Sequence, residues 1–139
     1  MRIDVESQLG EMSDKLGVLA LGLGDLSPVM QAIAAVVEGS TRERFLTKQD
    51  SEGVSWKQLS PERLRQKKGR GGILVDRGDL MRSITGHATA VSAEVGTDRP
   101  YGKYHQMGWG VPQREFLGLS EEDVLDIQDL LNDFMEDLL

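Results

Sequence analysis

The run Ser83–Gly96, SITGHATAVSAEVG, constrains the fold more than any other stretch. It is the one place where apolar and polar residues alternate on both sides of a turn, the pattern of a half-buried hairpin. Folding Ser83–Ala88 back on Val91–Gly96 sets Ile84 opposite Val95, Gly86 opposite Ala93 and Ala88 opposite Val91 on one face. Thr85 then faces Glu94, and His87 faces Ser92, on the other. Thr89-Ala90 is poor chemistry for a two-residue turn, so a four-residue loop in this register is expected. The apolar face is made of small residues and asks for a helix laid close against it. The hairpin sits inside Ile73–Gly118, which also holds both histidines and most of the aromatic residues. The expectation is an α+β fold, a small antiparallel sheet packed by flanking helices.

Three helices read from apolar spacing. Asp4 to about Leu21 carries Leu9, Met12, Leu16 and Leu19 at three- and four-residue steps, with Gly10 and Gly17 on one face. That shared face suggests close approach to another element, or else a frayed helix. A second helix begins at Ser27, a good N-cap, with Pro28 suited to the first helical position. It runs to Phe45 or Thr47 on an apolar face of Val29, Ile33, Val36 and Val37, and its alanines make it the natural partner of the hairpin. Arg42, Arg44 and Lys48 near its end favour the helix dipole. The last helix has Ser120 as cap and Glu121, Glu122 and Asp123 at its positive pole. Its stripe is Val124, Ile127, Leu131, Phe134 and Leu138, broadened by Leu125, Leu130 and Met135. Glu136 and Asp137 sit at the wrong pole, a misfit that docking on a basic surface relieves.

Between these lie irregular stretches. Asp50–Pro61 is a loop by composition, yet it holds Trp56 and Leu59. A tryptophan there reads as an anchor onto the core, with a partner hot spot as the alternative. Residues 57–72 read as a flexible basic loop, with one or two helical turns after Pro61 and a Gly-rich end. Ile73–Val75 reads as a strand or anchored extended segment, with Asp76 capping a short helix through Asp79–Met81. Tyr101–Met107 reads as a helical turn stopped by Gly108, and Arg114–Leu117 as an added edge strand. The aromatic residues of Ile73–Gly118 are assigned to packing.

At 139 residues the chain is one domain, 1–139. It has no cysteine, which excludes disulfides and thiolate metal sites. No signal-like segment opens it, and its apolar runs are too short to span a bilayer, so a soluble protein without membrane partners is expected. The net charge of −7 is unevenly spread. Bases dominate between Thr41 and Gly71, whereas Gly118–Leu139 contains acids and no base. Such polarity suits head-to-tail association. The candidate interface residues are therefore Arg42, Arg44, Trp56, Lys57, Arg63, Arg65, Lys67, Lys68 and Arg70 on the basic side. Asp126, Asp129, Asp133, Phe134 and Asp137 form the acidic side. No catalytic constellation is visible: His87 and His105 lie on different elements, and Gly69–Gly72 lacks the lysine and hydroxyl of a phosphate loop. No cofactor or metal is expected. A small nucleic-acid-binding protein using the basic 57–70 segment is the alternative.

Several landmarks occur in one order: Gly53-x-x-Trp56-x-x-Leu59-Ser60-Pro61; Ile73-Leu74-Val75-x-x-Gly78-x-Leu80-x-x-Ser83-Ile84; Val95-Gly96-Thr97; Tyr101; His105-Gln106-x-Gly108; and Pro112-x-Arg114-x-Phe116-Leu117-Gly118-Leu119-Ser120. From about Ser27 onward this resembles the virion-morphogenesis family, the tail-completion and neck proteins of Mu-like tailed phages. It departs from that pattern at Ser51-Glu52, Gly102 and Glu115, where proline, alanine and proline are usual. The resemblance implies a non-catalytic virion protein of the neck or tail, made in the host cytoplasm. It closes the tail end or joins the tail to the head connector. The implied partners are further copies in a ring, hexameric by resemblance, the neighbouring head-connector and tail proteins, and the genomic DNA that passes through.

Overall fold

In the computed structural model, which describes residues 1–10, 12, 14, 25–67, 72–75 and 78–137, one long helix organises the rest. This helix, α1 (Ser27–Thr47), buries Val29, Met30, Ile33, Ala34, Val37, Thr41, Arg44 and Phe45. The three- and four-residue spacing lays them along one side. The expected cap is displaced by one: Leu26 holds the N-cap position, and Asp25 Oδ1 accepts the Ser27 N–H at 2.9 Å. The helix ends at Lys48, left-handed at φ 59°, whose N–H donates to the Arg44 carbonyl at 2.7 Å.

On α1 lies a three-stranded antiparallel sheet of order β1-β3-β2, with β1 (Arg2–Asp4), β2 (Thr85–Ala88) and β3 (Ala93–Gly96). The hairpin is as expected in its strands and faces but not in its register. Gly86 pairs with Val95, His87 with Glu94 and Ala88 with Ala93, a two-residue slip along β3. A slip of two keeps every side chain on its face, because the side-chain period is two. The four-residue loop Thr89–Ser92 is closed by the Thr89 N–H on the Ser92 carbonyl at 2.9 Å and by their paired hydroxyls at 2.7 Å. Val91, expected on the apolar face, therefore sits in the loop and is exposed. The close approach of α1 is real: a Cβ on Gly86 would lie 3.1 Å from the Ala34 carbonyl oxygen. The Gly86 N–H donates to Glu38 of α1 at 2.8 Å.

The expected first helix is corrected at its start. Residues 2–4 are the edge strand β1, paired with β3 through Ile3 and Val95, and Glu6–Gln8 is a single 3-10 turn. Val5 and Leu9 enter the core behind it. Gly10 serves a left-handed turn at φ 58°, and none of the described residues comes close to its Cβ position. Gly17, Leu16 and Leu19 lie outside the described residues. β1 instead puts its demand on Gly96, where a side chain would collide with the Met1 carbonyl and the Arg2 backbone.

Short elements fill in the far side: α2 (Pro61–Lys67), α3 (Asp79–Ser83) and α4 (Gly102–Met107). The basic stretch is thus helical over 61–67. Ile73 is buried, but as part of a turn rather than a strand: the Val75 N–H reaches the Gly72 carbonyl at 3.0 Å and Leu74 is left-handed at φ 62°. The Asp76 cap lies outside the described residues. Arg114–Leu117 is not an edge strand either. Its amides are taken by a side chain, since Gln106 Oε1 accepts the N–H groups of Phe116 and Leu117, each at 3.0 Å. Gln106 Nε2 donates back to the Leu117 carbonyl at 3.0 Å. The last helix, α5 (Glu121–Asp137), packs on α1 through Ile127 and Leu131.

Candidate assembly surfaces

The charged residues divide into those used inside the subunit and those left outside. Arg44 is an inside residue. Its guanidinium donates to Asp123 Oδ2 and to the Phe116 carbonyl, each at 2.8 Å, and the residue is 5% exposed. Asp123 is buried with it and also closes a capping box, accepting the Ser120 N–H while its own N–H meets Ser120 Oγ, both at 3.0 Å. Arg44 is therefore removed from the surface on which its charge placed it. Trp56 is buried too, with Nε1 on the Glu115 carbonyl at 2.8 Å and its ring edge-on to Phe45. It is the anchor of its loop and presents no surface to a partner. Lys67 is the third correction: it is buried, and Nζ donates to the carbonyls of Gly72 and Val75 at 2.6 and 3.1 Å.

Arg42 is half-exposed but engaged. It pairs with Glu38 at 3.0 Å and donates to the Ile84 carbonyl at 2.7 Å, which ties α1 to the start of β2. Lys57 and Arg65 are exposed and Arg63 is partly so. Lys68 and Arg70 lie outside the described residues. The basic side is thus thinner than the charge run suggests. On α5, by contrast, Asp126, Asp129, Asp133 and Asp137 are exposed and Phe134 is half-buried. The helix has no base in its last turn. Its apolar stripe is also narrower than expected: Leu125 and Met135 stand out in solvent at 60% and 45%, and Leu138 lies outside the described residues.

A second surface was assigned wholly to packing by the sequence. Tyr101, Tyr104, Met107, Trp109 and Val111 are all exposed, and Tyr104 and Trp109 meet edge-on with ring centres 6.2 Å apart. They arise where α4 is stopped. Gly108 is left-handed at φ 73°, and a Cβ there would lie 2.8 Å from Gln113 Cβ. The chain then swings out through residues 109–112 and returns at Arg114, whose N–H bonds the His105 carbonyl at 2.8 Å.

Beside this rim, α2, α3 and α4 enclose a cleft of about 390 Å³. Its apolar lining comes from Leu59, Leu74 and Leu80, and its charged lining from Arg63, Lys67, Arg114 and Asp79. Burial, and the nearby Arg114 charge, hold the His105 pKa below the ordinary histidine value. Its Nδ1 is buried without a hydrogen-bond partner. Burial also lowers the pKa of Arg114. Two titratable side chains in a cleft invite a catalytic reading, but a mechanism also needs a positioned nucleophile or a base facing a reacting atom. Among the described residues no cluster of His, Asp or Glu is placed to hold a metal ion. No helix among them is long and apolar enough to cross a membrane.

Comparison with known proteins decides the family. Residues 5–136 match the model of the phage virion morphogenesis family. The chain belongs to that family. It is also 31% identical over 137 residues to the Mu-like prophage FluMu G protein 2 of Haemophilus influenzae, an alignment covering 93% of this chain and 92% of the relative. No solved structure gives a significant match. Family membership assigns the chain a structural or assembly role in a phage virion, and the landmarks of the family acquire physical roles here. Trp56 pins its loop, Gln106 replaces a strand for Phe116 and Leu117, Gly108 turns the chain outward, and Ser120 caps α5. Ser51 and Glu115 are partners: Ser51 Oγ donates to Glu115 at 2.9 Å.

Proposed function

We propose that this chain is a structural subunit of the phage neck, which completes the tail end or joins it to the head connector as a ring of identical copies. The resemblance makes that ring hexameric. Its partners are then its own copies, the adjoining connector and tail proteins, and the DNA passing through the bore. The observation that carries this reading is the exposed outer side of α5, where Asp126, Asp129, Asp133 and Asp137 stand without a base in the last turn. A helix that spends its apolar stripe on α1 and keeps one sign of charge outward is built to meet something cationic.

The test separates folding from assembly. Replacing Asp126, Asp129 and Asp133 together by lysine changes exposed residues only, so the melting temperature should stay within a few degrees of the parent. Incorporation of the chain into particles should fall to background, as read by immunoblot of purified virions. Particles that carry normal amounts of the reversed chain would refute a role for this face. Electron microscopy of labelled particles should place the chain at the head–tail junction; label elsewhere on the virion would refute the neck assignment.

A further inference from the structure

The sheet has a free edge along β2, and two side chains of α1 reach it. β2 is the outer strand of the order β1-β3-β2. Two bonds fix which way its backbone groups turn. The Val5 N–H meets the Ala93 carbonyl and the Thr97 N–H meets the Met1 carbonyl, each at 2.8 Å, so the odd-numbered residues of β3 face β1. Bonded pairs alternate along an antiparallel ladder. Glu94 and Gly96 therefore face β2 and bond their partners His87 and Thr85. That leaves the backbone groups of Gly86 and Ala88, and the carbonyl of Ile84 just before the strand, turned outward. Such an outward row is a template for a strand of another chain.

Here the row is occupied at its start. Glu38 Oε2 accepts the Gly86 N–H at 2.8 Å, and Arg42 Nη2 donates to the Ile84 carbonyl at 2.7 Å. The two side chains sit one turn apart on α1 and pair with each other at 3.0 Å. One acceptor and one donor thus take two backbone groups that an added strand would need. Gly86 is part of the arrangement. A Cβ there would lie 3.1 Å from the Ala34 carbonyl oxygen and 3.2 Å from Glu38 Oε2, so its absence lets α1 come near enough for the carboxylate to reach the amide. What stays outward is the Gly86 carbonyl and Ala88, a short run for a strand to grip. As a salt bridge alone the pair is worth little, because 27% of the Glu38 side chain and 45% of the Arg42 side chain are in water. Its place on the edge is what sets it apart.

We infer that the Glu38–Arg42 pair is an autoinhibitory clamp, which closes the free edge of β2 against strand addition by a second copy of the chain. Two identical edges that meet antiparallel form an isologous contact, and such a contact closes on itself as a pair. The clamp suppresses that pairing and leaves side-chain surfaces as the means by which copies meet. It stands apart from the neck assignment, because it concerns an association that the fold prevents.

Removing the clamp while keeping the strand tests this. Glu38→Ala with Arg42→Ala frees the Gly86 N–H and the Ile84 carbonyl, whereas Glu38→Gln keeps an acceptor for the amide. Parent and both variants are sedimented at matched concentrations, so association through any other face is common to all three. The double variant should approach about twice the weight-average mass of the parent, and Glu38→Gln should follow the parent. Hydrogen exchange locates the contact: the Gly86 amide of the double variant should exchange fast in dilute solution and several-fold more slowly as the mass rises. Adding His87→Lys, a charge at an exposed position of the edge strand, should return the double variant to the parent's mass. A double variant that melts cooperatively and keeps the parent's mass overturns the inference. So does extra association that leaves the Gly86 amide fast, or that His87→Lys does not reverse. Should the double variant fail to melt cooperatively, Glu38→Ala alone carries the same readouts, and no gain in mass with no slowing at Gly86 overturns the clamp.

Discussion

At the scale of single residues, burial of charge decides what the chain can present to a partner. Arg44 and Asp123 form a pair almost wholly withdrawn from water. Removing one member strands the other, which costs about 3–5 kcal/mol. Asp123→Ala should lower unfolding stability by that order in urea titration, whereas Asp126→Ala, three residues on and exposed, should change it by less than about 0.5 kcal/mol. Glu115 shows the opposite balance. Burial raises its pKa, and the hydrogen bond from Ser51 only partly offsets this. A carboxyl whose folded pKa lies above the ordinary 4.5 helps stability fully below that value, and the help is lost as pH rises through the folded pKa. Glu115→Gln should therefore melt with the parent near pH 4 and above it at pH 7. Lys48, held left-handed at φ 59°, is a further test, because that conformation costs an L-residue about 1–2 kcal/mol. Lys48→Gly should gain roughly 1 kcal/mol, read by thermal or urea unfolding.

At the scale of elements, local patterns were legible and distant partners were not. The helices α1 and α5 and both strands of the hairpin follow from spacing within a few turns, and the hairpin faces survived a register slip that parity conceals. What closes the hairpin is the hydroxyl pairing of Thr89 and Ser92, which alternation does not reveal. β1 was missed because three residues make no periodicity and their partner lies some ninety positions away. Its one signal was Ile3 and Val5 alternating with Arg2 and Asp4. Arg114–Leu117 has the composition of a strand, yet its amides are met by the Gln106 side chain. Gln106→Ala leaves two N–H groups in the interior without acceptors and should cost about 2–4 kcal/mol. Faster hydrogen exchange at Phe116 and Leu117 would locate the damage. Of the candidate interface, the acidic helix was legible because exposed charge needs no partner within the fold. Among the candidate interface residues, Arg44 was misassigned because its burial depends on Asp123 and Phe116, far along the chain. Lys67 was misassigned because its carbonyl partners come from a turn that composition does not show. Trp56 is the loop anchor that its setting suggested. The exposed aromatic rim was hidden by the general expectation that aromatic residues pack inside.

At the scale of the whole molecule, the outer side of α5 is acidic and the turn after α4 exposes an aromatic rim. Attraction to an exposed acidic face is screened by salt, whereas apolar contact at the rim is not. Self-association of concentrated protein should therefore weaken between low and physiological ionic strength without vanishing, because the apolar contacts remain. Sedimentation of the parent and of Trp109→Ala across a salt series would separate the two contributions. The parent should lose affinity with salt, and the variant should lose it at every salt concentration.

The bond between Arg44 and Asp123 joins positions 79 residues apart. Its consequence concerns timing. α5 leaves the ribosome after α1, and its first turn can meet the cation of α1 only once the residues between them have been made. Until then Asp123 remains in water and the acidic face has no rigid base. A truncated or misfolded copy would lack a correctly mounted α5. The exposed acids of α5 are thus held in their final place only in a chain that has made this buried pair.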